Sequence, residues 1–221
     1  MYDVIQATFK EAEGTKAKLI KSALETKLKN LRKNGKTTHA LWDSLVFKKT
    51  AKVLGGRVKL MVTGSAPISG EVLDFLKVCF CAPILEGYGQ TESGGVSTAT
   101  WPNDPNSGHV GGPVTSQEIK LVDIPDMNYT SNDIVEGVPT PRGEICFRGP
   151  PVIKGYFKMP EKTAEAIDSD GWLHSGDVGM ICPDGSIKII DRKKNIFKLS
   201  QGEYVAPEKI ENIMTQLPIV G

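Results

Sequence analysis

The spacing of apolar positions changes along this chain, and each change marks an element. Residues 1–54 read as helical: Glu11 to Leu31 holds no proline and is rich in Lys, Ala, Leu and Glu. Val58 to Val62 is a short apolar run that predicts a strand and leads into Gly64-Ser65-Ala66-Pro67. Ser69 then fits the cap of an amphipathic helix, because Val72, Phe75, Leu76, Cys79 and Phe80 recur at helical spacing. Pro83-Ile84-Leu85 predicts a second strand ending in Gly87-Tyr88-Gly89. Strand, glycine turn, helix, strand is the order of an α/β sheet.

From Gln90 to Gly112 the residues are those of a loop. Beyond it the period drops to two. Glu118 to Ile124 and Glu144 to Arg148 alternate as half-exposed strands do, with a polar excursion from Thr130 to Arg142 between them. Pro160 to Ile167 predicts a short helix with proline in its first turn. Val178 to Ile181 and Ser186 to Ile190 predict a hairpin around Pro183-Asp184-Gly185. Pro207 opens a last helix with the stripe Ile210, Ile213, Met214 and Leu217, and Pro218 to Gly221 reads as the start of a strand. Both ends are abrupt, and the chain is expected to be the middle of a longer one.

Composition narrows the class without naming it. The 221 residues are 39% hydrophobic and 24% charged, which excludes collagen, simple disorder and a disulfide scaffold. A net charge of +1 gives no reason to expect nucleic acid. The balance is uneven, however: residues 1–60 carry 14 Lys/Arg against 5 Asp/Glu, and the rest 13 against 21. Such a basic segment suits phosphates or an anionic membrane surface. The plainer reading is a solvated helical face, with Lys21, Lys27 and Lys29 as exposed residues. Cys79, Cys81, Cys146 and Cys182 form no metal-binding spacing and sit in apolar contexts, which predicts buried free thiols. The longest uncharged apolar run, Val78 to Leu85, is far short of a membrane span.

Candidate chemistry lies in four segments. Gly64-Ser65-Ala66-Pro67 and Glu86-Gly87-Tyr88-Gly89-Gln90-Thr91-Glu92 each follow a predicted strand, where ligands of α/β sheets bind. Tyr88 between two glycines would leave its ring open to a flat partner such as a purine; a tyrosine in a tight turn is the plainer alternative. Thr91 and Glu92 set a hydroxyl beside a hard carboxylate, a pair suited to phosphate and Mg²⁺ or, more simply, to a solvated loop. In Gly171-Trp172-Leu173-His174-Ser175-Gly176-Asp177, the last carboxylate is capable of accepting both hydroxyls of a ribose, or of closing a turn before a strand. In Asp191-Arg192-Lys193-Lys194, Arg192 offers a fork of donors.

Together, in this order, the segments resemble the adenylate-forming superfamily of acyl-CoA synthetases, luciferases and peptide adenylation domains. Tyr88 to Glu92 matches its aromatic-Gly-x-Thr-Glu motif, and Gly171 to Asp177 its Gly-Trp-x-x-Thr-Gly-Asp motif, with Ser175 in the Thr position. Asp191 to Lys194 matches its hinge. The stretches Phe197 to Glu211, Leu41 to Phe47 and Leu54 to Val58 look like the long-chain fatty acyl-CoA synthetases. The resemblance implies that Ser65, Ala66 and Pro67 lie beside an adenine on which Tyr88 stacks. Thr91 would bind phosphate, Glu92 Mg²⁺, and Asp177 and Arg192 the ribose. Asp191 would be the hinge, and Gly202 would line the pantetheine tunnel. ATP, a long-chain fatty acid and coenzyme A would be the substrates, joined through an acyl-adenylate.

The fold implied is α/β. Residues 1–190 would form the later part of a large AMP-binding domain, an α/β layer and then a distorted β region. Residues 191–221 would begin a small α+β domain. Peripheral membrane association, by family at the cytosolic face of the endoplasmic reticulum, is expected, with any targeting segment outside this chain. The family's phosphate loop ending in Pro-Lys, and the lysine of its small domain, have no counterpart here, so the chain alone is expected to be inactive. Two other readings stay open: a ligase for another carboxylic acid, and a short product that binds nucleotide, acyl-CoA or a protein partner without catalysis. His174, beside the site, reads as structural rather than as a base.

Overall fold

The computed structural model describes residues 1–193, 195–198, 204, 205, 207, 210 and 214. The chain forms two compact units: Met1–Glu86 with Thr100–Gly108, and Gly87–Ala99 with His109–Gly221.

In the first unit, α1 (Tyr2–Lys10), α2 (Gly14–Asn34), α3 (Ala40–Trp42) and α4 (Lys48–Val53) account for the helical reading of the first 54 residues, with a π turn over Asp43–Phe47 between the last two. The strand β1 (Met61–Thr63) starts later than the apolar run predicts, because only these residues find a partner. They pair in parallel with the first part of β2 (Ile84–Tyr88), through Met61↔Ile84, Val62↔Leu85 and Thr63↔Glu86. The crossover between them is α5 (Gly70–Phe80). It is capped as the sequence predicts, the Ser69 hydroxyl accepting from the Val72 N–H at 3.2 Å. Tyr2 and Phe9 make edge-on ring contacts with Phe75, and Phe9 with Phe47, among the buried Ile5, Ala23, Leu31, Val78, Cys79 and Phe80.

Lys27 departs from the sequence reading, although Lys21 and Lys29 are exposed as expected. It follows Ile20 and Ala23 and precedes Leu31 on the buried face of α2, and it is 1% exposed. Its ammonium pairs with Asp43, donates to the Val78 carbonyl at 2.8 Å and lies 4.5 Å from the centre of the Phe47 ring. A lysine is tolerated there because every one of these groups answers its charge. The cysteines also split: Cys79 and Cys146 are buried, Cys81 and Cys182 only partly so, and all four are unbridged.

The second unit is built on an antiparallel sheet ordered β10-β9-β8-β5, with β5 at Glu118–Val122, β8 at Arg142–Arg148, β9 at Leu173–Ile181 and β10 at Ile187–Arg192. The predicted hairpin is therefore longer at its first strand, which runs back through His174, Ser175 and Gly176. The expected boundary at Asp191 falls within β10. Short strands β3 (Thr98–Ala99) and β4 (Gly112–Pro113) pair with each other inside the segment read as loop, and β3 also pairs with Gly87 and Tyr88. The polar excursion holds a small hairpin, β6 (Ile134–Val135) with β7 (Val138–Pro139), and α6 (Pro160–Ala166) matches the predicted proline-led helix. β8 is not half-exposed. Gly143 to Phe147 are all buried, because Ile145 and Phe147 face one core while His174 and Lys193 cover Glu144 and Cys146. β11 (Phe197–Lys198) and β12 (Tyr204–Val205) pair antiparallel. The predicted final helix, apart from Pro207, Ile210 and Met214, and Gly202 lie outside the described residues.

Candidate functional site

In the second unit, three of the sequence-predicted residues converge. Arg192 on β10 and Asp177 on β9 are cross-strand partners. The Arg192 Nε lies 3.7 Å from Asp177 Oδ1. The other carboxylate oxygen accepts a hydrogen bond of 2.7 Å from the Tyr88 hydroxyl, at the end of β2. The Asp177 N–H donates to Ser175 Oγ at 3.0 Å, which fixes the backbone beneath the carboxylate. Burial and the Asp177 charge together push the Tyr88 hydroxyl far above the ordinary phenol range, so it stays a donor.

The tyrosine is less open than its flanking glycines imply. Its ring lies 5.8 Å, centre to centre, from Phe147. Gly89 is needed for another reason: a Cβ there would come 1.9 Å from the Gly95 carbonyl oxygen. Gly87 would meet nothing closer than 3.5 Å.

Thr91 and Glu92 sit on a single helical turn, Thr91–Ser93. The turn is held from below by the fully buried Ser93, whose hydroxyl accepts from the Gln90 N–H at 3.0 Å and from Ser97 Oγ at 2.7 Å. Thr91 is exposed and Glu92 half-buried. The loop before α6 is laid against this turn: the Ile153 N–H donates to the Glu92 carbonyl at 2.9 Å, and the Tyr156 hydroxyl donates to Glu92 Oε1 at 2.9 Å. That bond is the main reason the Tyr156 hydroxyl is pushed up from its ordinary value. Sequence reading missed Tyr156; the Gly155-Tyr156 pair at the end of a loop was its only signal.

A hydroxyl and a carboxylate on adjacent residues are oxygen donors of the kind Mg²⁺ takes. Among the described residues no group of three or more His, Cys, Asp or Glu side chains forms a closed metal cage. An ion at Glu92 would thus take its remaining oxygens from water and phosphate.

His174 is held on both sides, with Nδ1 3.3 Å from Glu144 Oε2 and Nε2 3.6 Å from Asp168 Oδ2. Both carboxylates hold the ring in place between β8 and the loop before β9. Cys146 lies 3.4 Å from the same Nδ1, but burial and Glu144 push its thiol up to about 12.

The other predicted residues belong to the first unit. Gly64, Ser65, Ala66 and Pro67 are exposed just beyond β1, and Ser65 takes a left-handed backbone, φ 69°. Such a conformation is uncommon outside glycine and often marks a functional turn. Glu86 is buried, its Oε2 without a hydrogen-bond partner. Burial pushes its carboxyl up to about 7 against the pull of Lys77. Lys77 in turn donates to Ser107 Oγ at 3.0 Å, and Ser107 to Asp74 at 2.7 Å.

Comparisons with known proteins identify the family of the chain. The profile of the AMP-binding enzyme family matches residues 22–157. The chain is 52% identical over 220 residues to a peroxisomal long chain acyl-CoA synthetase of Arabidopsis thaliana, covering all of this chain and 31% of that protein. It is 52% identical over 195 residues to long-chain-fatty-acid–CoA ligase 1 of Homo sapiens, covering 88% of this chain and 27% of the relative. The chain therefore spans about a third of the length of these relatives. Among solved structures, the A domain of a carboxylic acid reductase from Segniliparus rugosus, in complex with AMP and a co-purified carboxylic acid, superposes with a TM-score of 0.62 at 36% identity. That match covers 79% of this chain and 26% of that domain.

Proposed function

Because the chain belongs to the AMP-binding enzyme family, we propose that it is the central portion of a long-chain fatty acid–CoA ligase. The observation that carries the reading is the convergence of Tyr88, Asp177 and Arg192, which offers a ring, an acceptor-only carboxylate and a donor fork at one place. On this reading Asp177 and Arg192 take the ribose hydroxyls. The Tyr88 hydroxyl exchanges its bond to Asp177 as the ribose arrives, and its ring packs against the adenine; for Gly64, Ser65, Ala66, Pro67, Glu86, Gly87 and Gly89 a part in nucleotide binding is supported by the family resemblance alone. Thr91 receives phosphate oxygens.

Glu92 would hold Mg²⁺, which would neutralise charge on the phosphates. The fatty acid carboxylate attacks the α-phosphorus of ATP, pyrophosphate leaves, and a mixed anhydride forms. The thiol of coenzyme A then attacks its carbonyl carbon, loses its proton and releases AMP. For such steps a protein mainly positions groups and stabilises charge. Two half-reactions in one site call for a rearrangement between them. Asp191 as a hinge is supported by the register shift in β10 between Ile189 and Asp191. Gly202 on the pantetheine path, and the small domain beginning at Asp191, belong to the same proposal.

Work at a membrane surface, at the endoplasmic reticulum or, as the plant relative's name says of that protein, at the peroxisome, is included. Among the described residues no helix is long and apolar enough to cross a membrane. Attachment would be through a surface or through segments of a longer protein.

Calorimetry of the 221-residue chain with AMP and with a non-hydrolysable palmitoyl-adenylate mimic tests the reading. Binding of both, with the mimic tighter, is expected. ATP–pyrophosphate exchange with palmitate should stay at blank, since the phosphate loop and small-domain lysine of the family have no counterpart here. Exchange above blank would overturn the expectation of inactivity, and failure to bind AMP would overturn the nucleotide site. Preference for an aromatic acyl-adenylate mimic would move the substrate to another acid.

A further inference from the structure

We propose that Glu144 is the positioning residue for both ribose-binding side chains, an inference that rests on the nucleotide reading above. Glu144 lies on β8 and is only 6% exposed. One carboxylate oxygen accepts from the Gly176 N–H at 3.1 Å, immediately before Asp177. The other lies 3.3 Å from the ammonium of Lys193, immediately after Arg192. The Lys193 N–H, in turn, donates to the Gly176 carbonyl at 2.8 Å. Gly176 is thus held at both its N–H and its carbonyl, in a left-handed conformation (φ 74°) that glycine adopts without steric cost.

The consequence reaches the site through the backbone. Asp177 and Arg192 face one another across β9 and β10, and each has a sequence neighbour tied to the same buried carboxylate. A charge-assisted bond at each end sets where the acceptor and the donor fork stand relative to each other. His174 Nδ1, 3.3 Å from the Lys193-facing oxygen, gives the carboxylate a third neighbour and keeps it from turning toward solvent. Nothing in the chemistry of the proposed reaction needs Glu144 itself; its effect is on the geometry of a diol site.

A role confined to stability would leave the discrimination between ribose and a ribose without hydroxyls untouched, and this is the readout to use. AMP and 2′,3′-dideoxy-AMP are titrated into the full chain, its Glu144→Gln variant and its Lys193→Met variant. The glutamine oxygen still accepts from Gly176 but no longer pairs with Lys193 by charge. The wild type is expected to prefer AMP. Glu144→Gln should lower that preference about tenfold, because it loses the pairing with Lys193 and also weakens the Gly176 bond, whose acceptor is no longer charged, with dideoxy-AMP binding unchanged. Lys193→Met should lower it about threefold, its ammonium being more solvated. An undiminished preference in both variants overturns the role of Glu144 and leaves the ribose assignment standing. A wild type that binds AMP and dideoxy-AMP equally, or neither, overturns the ribose assignment and this inference with it. If Glu144→Gln does not fold, Lys193→Met, whose side chain is 44% exposed, carries the test.

Discussion

Each unit buries charged side chains, and the two put them to different uses. In the first, Lys27 is wrapped by Asp43, the Val78 carbonyl and the Phe47 ring, and Lys77 by Ser107, in turn bonded to Asp74. These groups answer one another. In the second, Glu144 turns its charge toward the peptide and the ammonium on either side of two candidate ligand-binding residues. Burial of charge is costly in both places. What differs is whether the partners are packing elements or the flanks of a site. Stability assays should report on the first unit, and ligand discrimination on the second.

The largest effect is expected at Lys27. Lys27→Ala removes one member of a buried pair, opens a cavity beside Phe47 and leaves Asp43 uncompensated. A loss of about 3–5 kcal/mol is expected in urea unfolding. Lys27→Met combined with Asp43→Leu should recover most of it, because both charges then go together. A stability change below about 1 kcal/mol for Lys27→Ala would break the comparison at its firmest point, for the charge would then not be part of the packing.

Glu86 sharpens the same side through pH. Its carboxyl is pushed up from the usual 4.5 to about 7, so the folded protein holds the proton more tightly than the unfolded chain. The stability this contributes is fully present below about pH 4.5 and is lost as pH rises through about 7. Glu86→Gln removes that titration. Above pH 7 the variant should be more stable than the wild type by up to about 3 kcal/mol, the raised value already including the attraction to Lys77. The gap should close toward pH 4.5. A difference independent of pH would mean that Glu86 does not titrate as its surroundings imply.

Tyr88 belongs to the other side, and its variants should move binding more than folding. Tyr88→Phe deletes the donor to Asp177 and should cost about 1 kcal/mol of stability. It keeps the ring, so AMP should bind within about threefold of the wild type. Tyr88→Ala loses the ring as well, and AMP binding should fall by tenfold or more. Equal affinities for the phenylalanine and alanine variants would remove the stacking role.

How much of this was legible in the sequence depended on the range of the interactions. Ser69 as a helix cap and the proline-led α6 are local, and both were readable. Asp177 and Arg192 could be named singly from motifs, but not their register; that comes from a hairpin whose first strand is longer than the local pattern predicts. Val58 and Leu60 read as strand on composition yet stay exposed, since pairing with β2 begins only at Met61. Lys27 and Glu144 were missed for one reason. A charged residue on an amphipathic pattern reads as solvent-facing, and what covers it here comes from 16 residues away for Asp43 and 49 for Lys193. The β8 alternation of Glu144, Ile145, Cys146 and Phe147 is genuine, but both of its faces are covered.

The smallest effect tests the edge of the site. Tyr156 donates to Glu92 Oε1 from a loop that also binds the Glu92 carbonyl through Ile153. Tyr156→Phe removes one hydrogen bond to a half-buried carboxylate and keeps the backbone tie. Stability should change by no more than about 0.5 kcal/mol. If Glu92 is the Mg²⁺ ligand, the carboxylate loses the bond that orients it. ATP binding measured in EDTA should then stay as in the wild type, while the gain in affinity on adding Mg²⁺ should shrink about threefold. Glu92→Gln should abolish most of that gain, which gives the scale against which the tyrosine is read. A Mg²⁺ gain untouched in both variants would place the cation elsewhere and make the Tyr156–Glu92 bond a loop fastening, of the same kind as the charges wrapped in the first unit.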